Sequence, residues 1–194
     1  MARSKVQAKG AERHLTPATP LLLRSLRENY YRGGWHGPSA AVREAVRGLD
    51  ASAAAWRPAA GRHNVWELTL HLAYTRQMML VRMGVTPKPF PHRLTKQWWP
   101  ALPSALTADA WVADLGLLES LHRRLVAAVS GASRRLLARV RPGRSLTIGM
   151  EVLGVATHDA YHAGQMHMIR RMWETSAEAP SASDFSVHRR KELA

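Results

Sequence analysis

Cysteine is absent from this 194-residue chain. Its absence excludes a disulfide framework, a thiolate zinc site, a redox-active cysteine pair and a cysteine nucleophile. Acidic residues are scarce: 14 Asp and Glu stand against 28 Lys and Arg, so the formal net charge is +14. Such a surplus suits nucleic acid or an acidic membrane surface, but composition alone is only one of the signs that nucleic-acid binding requires.

Long apolar runs are missing as well. No stretch approaches the roughly 18 apolar residues of a membrane helix, so we expect no insertion into a membrane. The charged first residues precede no apolar core of a secretory signal, and we expect a cytoplasmic protein. With 46% hydrophobic residues the chain can bury a full core in a single domain.

Composition and periodicity divide the chain into three parts. Residues 1–16 and 175–194 are polar and charged without periodicity, which predicts disordered tails, the first of them basic. Between them, residues 17–174 show helical spacing of apolar residues nearly throughout and no alternating strand pattern. We expect one helical domain over that range.

Four long helices are predicted within this domain. The first spans about 20–32, with Thr19 as N-cap and Pro20 at the first position, and the second spans about 63–83, with Asn64 as a possible cap. The third begins after Thr107 and runs toward residues 142–143; the fourth begins at 145 or 147 and ends near 173. Residues 35–49 are interpreted as a further helical stretch.

A loop of about twenty residues, 85–106, separates the second and third long helices and is rich in proline and aromatics. Its aromatic side chains favour a packed flap over a free linker. Long helices joined in this order, without strands, predict an all-α fold: an up-and-down four-helix bundle with one long loop between helices 2 and 3.

Two histidines on the fourth helix carry the sharpest chemical signal. His158 and His162 are four residues apart and therefore lie on one helix face, at a spacing that lets two imidazoles coordinate the same metal ion. Glu151 and Gln165 fall on the same face, where they are candidates to hydrogen-bond the ligand rings. The alternative is a pair of core histidines that donate to backbone carbonyls.

His71, on the apolar face of the second helix, is a third candidate ligand. A single histidine on such a face is more often a satisfied core residue, but two inward histidine sites on helices that can pack together favour a shared site. Three neutral imidazoles would give a divalent ion three protein ligands and leave a position open, as in catalytic centres. Nitrogen ligands suit zinc, nickel and ferrous iron alike.

Several segments together resemble the DinB-like (DinB/YfiT-type) four-helix-bundle family over about residues 20–174. They are H-D-A-Y-H-A-G-Q at 158–165, H-N-V-W-E-L-T-L-H-L-A-Y at 63–74, W-H-G-P-S at 35–39 and W-P-A-L-P at 99–103. The resemblance implies a divalent metal held by His71, His158 and His162. It also implies a metal-dependent enzyme acting on a small molecule, either a hydrolase or an S-transferase or isomerase that uses a low-molecular-weight thiol such as bacillithiol or mycothiol.

Other polar residues are weaker candidates, and none is assigned a catalytic role. Glu67 either orients His71 or acts as a base, or it forms a salt bridge at the helix start. His122, on the apolar stripe of the third helix, is a proton shuttle or a core residue. Tyr161 and Gln165 either hydrogen-bond a ligand or close the core.

A different class of function stays open beside the enzyme. The chain could be a non-catalytic stress-response or nucleic-acid-associated helical module with a structural metal or none, whose affinity for DNA would fall steeply with salt. No helix-turn-helix, zinc-finger or RNA-binding motif supports that interpretation. A third interpretation is a metal-free helical dimer. A homodimer is expected for the enzyme, for the non-catalytic module and for the metal-free protein alike.

Overall fold

A computed structural model describes residues 16–85 and 88–177 of the chain. The molecule is mostly helical, with 64% helix, and carries one small two-stranded sheet. The predicted tails, 1–16 and 175–194, lie outside the described residues except for residue 16 and residues 175–177. The predicted helical class is confirmed, whereas the expectation that no strand occurs is wrong.

Four longer helices build the core of the described chain. The α-helices are α1 Thr19–Tyr31, α2 Val42–Val46, α3 Ala51–Ala55, α4 Val65–Arg82, α5 Ala108–Ser130, α6 Arg134–Ala138 and α7 Ile148–Glu174. Helix α4 packs against α5 and α7, and α1 packs against the same two helices. Among the described residues, no helix has the length and apolar character needed to span a bilayer.

Side-chain caps fix where the site-bearing helices begin. The Asn64 side chain accepts from the Glu67 amide while the Glu67 carboxylate accepts from the Asn64 amide, a capping box that starts α4. Thr147 accepts from the Met150 amide in the same way and starts α7. Thr19 does not cap α1: it is the first helical residue, and Ala18 precedes it.

Two predicted helical stretches are interrupted. Residues 35–49 form short 3-10 turns at Gly34–His36 and Pro38–Ala40 before α2 begins. Gly33 makes this possible, since its φ is 78° and an added Cβ would lie 1.5 Å from the Gly37 carbonyl oxygen. The third long helix ends at Ser130, well before the predicted 142–143, and the chain then forms the separate α6.

The long loop folds back over the helices. It contains the antiparallel strands β1 Leu94–Lys96 and β2 Trp99–Pro100, and β2 lies against α4. His92 Nε2 lies 2.7 Å from one carboxylate oxygen of the buried Asp114 on α5, whose other oxygen accepts from Trp66 Nε1 at 2.7 Å. This contact fastens the loop to α5.

Candidate metal centre

Three imidazole nitrogens meet between α4 and α7. His158 Nε2 lies 3.1 Å from His71 Nε2 and 3.0 Å from His162 Nε2, and the three ligand atoms all lie within 4.8 Å of one another. The two α7 histidines share a face because they are four residues apart, and α4 brings His71 opposite them. Nitrogens bound tetrahedrally to one zinc at about 2.0–2.1 Å lie about 3.3 Å apart, so a common ion needs these nitrogens to separate by only a few tenths of an ångström.

Hydrogen bonds on the far side of two rings set which nitrogen carries the proton. His71 Nδ1 donates to the Trp98 carbonyl at 2.7 Å, and His162 Nδ1 donates to Gln165 Oε1 at 2.6 Å. Neutral rings with the proton on Nδ1 present a bare lone pair at Nε2. Both lone pairs point toward His158.

The arrangement therefore places more acceptors than protons at its centre. His158 Nε2 can donate one proton at most, so at least one of its two close nitrogen contacts has no hydrogen between the atoms. His158 Nδ1 is buried and finds no hydrogen-bond partner among the described residues. A cation at the centre would satisfy all three lone pairs together, and the donor set fits a divalent transition metal.

Burial keeps all three rings neutral. Desolvation, with smaller contributions from the neighbouring histidines, lowers the pKa of His158 to about 3. Desolvation also lowers the pKa of His162 to about 4, although its bond to Gln165 acts in the opposite direction. It also lowers the pKa of His71, which its bond to the Trp98 carbonyl partly offsets. Neutral imidazole is the form that coordinates a metal.

The long loop makes specific contacts with the site that sequence reasoning did not identify. Trp98 adopts a φ of 70°, rare for a residue with a side chain, and its carbonyl accepts from His71. The Trp99 ring stacks on His71 at 4.3 Å between centroids and on His63 at 3.7 Å. The aromatic composition of the loop indicated packing, but nothing in the sequence showed on which rings it packs.

A cavity of about 570 Å³ opens beside His162. Its lining includes Trp99 and His63, together with Tyr161, Met168 and Met172 of α7. The surface is mainly apolar, and Arg62 contributes a cationic group. The arrangement therefore provides room for a small molecule with an apolar part next to the histidine cluster.

The other candidate residues lie at different places. Glu67 does not contact His71: it accepts from Arg57, and its carboxylate lies 3.0 Å from His63 Nδ1. Glu151 pairs with Arg141 at 2.5 Å and lies 3.7 Å from Arg82, away from the three histidine rings. Tyr161 is largely exposed in the cavity wall, where its hydroxyl accepts from Gln165 Nε2.

His122 is fully buried, and its ring stacks on Tyr30 at 3.8 Å between centroids. Arg76 Nε lies 3.4 Å from its Nδ1. Burial, together with the charge of Arg76, lowers the pKa of His122 to about 2, so the ring is neutral at any physiological pH. It lies among the core aromatics of α1 and lines no part of the cavity beside His162.

A buried ion pair next to the cluster was not predicted. Arg76 on α4 is fully buried and donates to Asp159 Oδ2 at 2.7 Å. Asp159 is also fully buried and follows His158 directly on α7. The pair links the two helices that carry the histidines.

Comparison with known families agrees with this geometry. The model of the DinB superfamily matches residues 39–166, which is more than half of the chain and includes all three histidines. This chain belongs to the DinB superfamily. No curated protein and no solved structure shows significant similarity to it. Family membership and the buried three-histidine cluster are compatible with metal binding in this DinB member.

Proposed function

We propose that this protein is a metal-dependent enzyme whose divalent ion is held by His71, His158 and His162. The observation that supports it is the convergence of three Nε2 atoms: those of His71 and His162 lie 3.1 and 3.0 Å from that of His158. The Trp98 carbonyl and the Gln165 side chain orient two of the rings from behind. A divalent ion bound there supplies Lewis-acid chemistry, which lowers the pKa of a water or of a thiol. The protein around it is one helical domain over 17–174, an up-and-down four-helix bundle.

The substrate is a small molecule with an apolar part. It enters the cavity of about 570 Å³ beside His162, where the Trp99 ring and the methionines of α7 contact its apolar surface. Arg62 is placed to attract an anionic group of the substrate. Gln165 and Tyr161, hydrogen-bonded to each other at 3.0 Å, are the polar groups of this wall that can orient it.

The reaction is either hydrolysis or transfer of an external thiol. Because the chain contains no cysteine, a thiol reaction draws its sulfur from a low-molecular-weight compound. In the transfer, sulfur bonds to an electrophilic carbon, the leaving group departs with its electron pair, and the thiol proton passes to solvent. A homodimer and a cytoplasmic location stay predictions.

The test is a metal-dependent activity panel. Protein loaded with zinc, nickel or ferrous iron is assayed with a haloaromatic electrophile and a series of thiols, then with aryl esters and anilides. We expect His158→Ala to lower kcat/KM at least about 100-fold, because it removes a metal ligand. The matched control is His36→Ala, at an exposed histidine outside the cluster, which should leave the rate unchanged.

The same panel can contradict the proposal. Turnover that persists in chelator-treated protein, or that is equal in His158→Ala and the parent, would show that the cluster takes no part in catalysis. Turnover of esters without any thiol identifies the hydrolase, and turnover of the haloaromatic only with a thiol identifies the transferase.

A further inference from the structure

A second, larger cavity of about 1110 Å³ is formed mainly by residues of α1 and α5. It shares no lining residue with the cavity beside His162. Five arginines line it, against Glu28 as the one carboxylate among its described lining residues. The arginines are Arg24, Arg27, Arg32, Arg43 and Arg123.

Most of this positive charge is not neutralised. Arg24 pairs with Glu28 at 2.9 Å, and Arg123 lies 3.9 Å from Glu119. Arg27 and Arg32 have no carboxylate partner within residues 16–85 and 88–177. Several cations around one concave surface raise its potential and favour an anion there.

The rest of the lining is apolar. Leu23 of α1 and Val126 and Ala127 of α5 contribute hydrocarbon surface, and the Tyr31 ring adds an aromatic face. Arg43 lies over that ring at 5.7 Å from its centroid. An apolar wall with a few charged groups at one side is the usual composition of a small-molecule site.

A buried donor in the cavity wall is an independent sign of a ligand. His122 lines the cavity and is fully buried. Because Arg76 Nε donates to its Nδ1, the ring proton lies on Nε2. His122 Nε2 has no hydrogen-bond partner among the described residues. A buried N–H without an acceptor costs free energy, which an acceptor atom on a ligand would recover.

We propose that this cavity binds a small amphipathic anion. Its carboxylate, sulfonate or phosphate group lies among the arginines, whose planar guanidinium groups bind such oxygens in pairs. Its apolar body lies on Leu23 and Val126. The site is separate from the metal centre and needs no metal ion.

The first measurement is calorimetric titration of the full chain, in the presence of EDTA, with naphthalene-2-sulfonate as the probe. We expect one probe molecule per chain, with the neutral analogue naphthalene-2-methanol binding about tenfold or more weakly, since it lacks the charge. Repeating the titration with 2-naphthoate and 2-naphthyl phosphate ranks the three anionic groups.

Variants locate the site. The double variant Arg27→Gln, Arg43→Gln should weaken sulfonate binding about tenfold or more. The control is the double variant Arg134→Gln, Arg135→Gln, which removes the same charge from exposed positions on α6 and should change the affinity less than about twofold. Ala127→Trp, at an exposed position in the wall, should abolish binding by filling the cavity. His122→Phe keeps the ring and removes the donor, and should weaken binding about fivefold.

Three results would overturn the proposal. Equal affinity for the sulfonate and the neutral alcohol would show that the arginines do not select the ligand. An equal loss of sulfonate affinity in the two double variants would indicate a general basic surface. Displacement of the probe by a DNA duplex, together with that equal loss in both double variants, would indicate the same. Binding that survives Ala127→Trp would place the probe elsewhere.

Discussion

His158 Nε2 is the atom on which the metal centre depends. It lies within 3.1 Å of two nitrogens whose own protons are used elsewhere, on Trp98 and Gln165. Neutral rings alone leave lone pairs facing one another at that distance, which is unfavourable in a buried site. A shared cation turns the same contacts into three bonds.

The Gln165 side chain holds the His162 ring, so its replacement tests that support. Gln165→Leu removes the acceptor of His162 Nδ1 and should weaken metal binding about 10–100-fold, measured by competition with a coloured chelator. Gln165→Glu keeps an acceptor and should retain most of the affinity. If the leucine variant binds metal as tightly as the parent, the hydrogen bond does not orient the ligand.

His122 gives a prediction about pH. Its pKa is lowered to about 2 in the folded protein from an ordinary value near 6.5, so between these values the unfolded chain binds a proton that the folded chain does not. Its contribution to stability is present above about pH 6.5 and is lost as the pH falls.

The variant His122→Phe keeps the ring on Tyr30 and removes this titration. As the pH is lowered from 6 to 4, the free energy of unfolding should fall more steeply for the parent than for the variant. The two slopes should differ by about 1.4 kcal/mol per pH unit. Urea unfolding in EDTA at each pH measures both slopes. Parallel curves would show that His122 is charged in the folded protein.

Helical spacing was enough to group His158 with His162, and the apolar face around His71 together with the family resemblance added the third histidine. The same reasoning grouped Glu151 with His158, but Glu151 lies two turns away, where Arg141 and Arg82 compete for its carboxylate. The Trp98 carbonyl could not be predicted: a backbone atom has no residue signature, and its position depends on how the loop packs.

Helix α4 shows how far a helix wheel can be trusted. The wheel identified the face of His71 and placed Arg76 on another side of the helix, with no sign that this side is buried as well. In the structure α4 is covered by α5, α7 and β2, so Arg76 and Gln77 are buried too. An apolar face shows where one neighbour lies and does not reveal how many other sides are covered.

The Arg76–Asp159 pair joins α4 to α7, and replacing only one of its two residues should lower the stability of the protein strongly. Asp159→Leu leaves the Arg76 charge buried without its carboxylate, and we expect the free energy of unfolding to fall by about 3–5 kcal/mol. Arg76→Met combined with Asp159→Leu removes both charges and should recover most of the loss. Denaturant unfolding of the parent, the single and the double variant measures this, and a double variant no more stable than the single one would contradict it.

Helix starts were largely predictable, because a cap is a local pattern. Asn64 and Thr107 cap as expected and Thr147, one of the two predicted positions, caps α7, whereas the prediction that Thr19 caps α1 was wrong. Helix ends were less so. Residues 35–49 have helix-forming composition, yet Gly33 turns the chain so closely against Gly37 that only short turns fit before α2. The short sheet depends on contacts of the loop with α4, which local sequence does not specify.

Across the whole molecule, the helical class and the DinB superfamily membership follow from patterns spread along the chain, while the surface properties do not. The net charge of +14 indicates a basic surface but not where its arginines gather. In the structure, five of them line the cavity between α1 and α5, apart from the histidine cluster. Charge placement of this kind depends on which helices become neighbours.

The metal content of the purified chain is the most direct measurement of the central claim. After equilibration with zinc, nickel or ferrous iron and gel filtration, elemental analysis should find about one equivalent per chain, the stoichiometry of a single three-ligand centre. His158→Ala should retain almost none, and His36→Ala should retain as much as the parent. Metal-free parent protein, or equal metal in His158→Ala and the parent, would contradict a centre built from these three imidazoles.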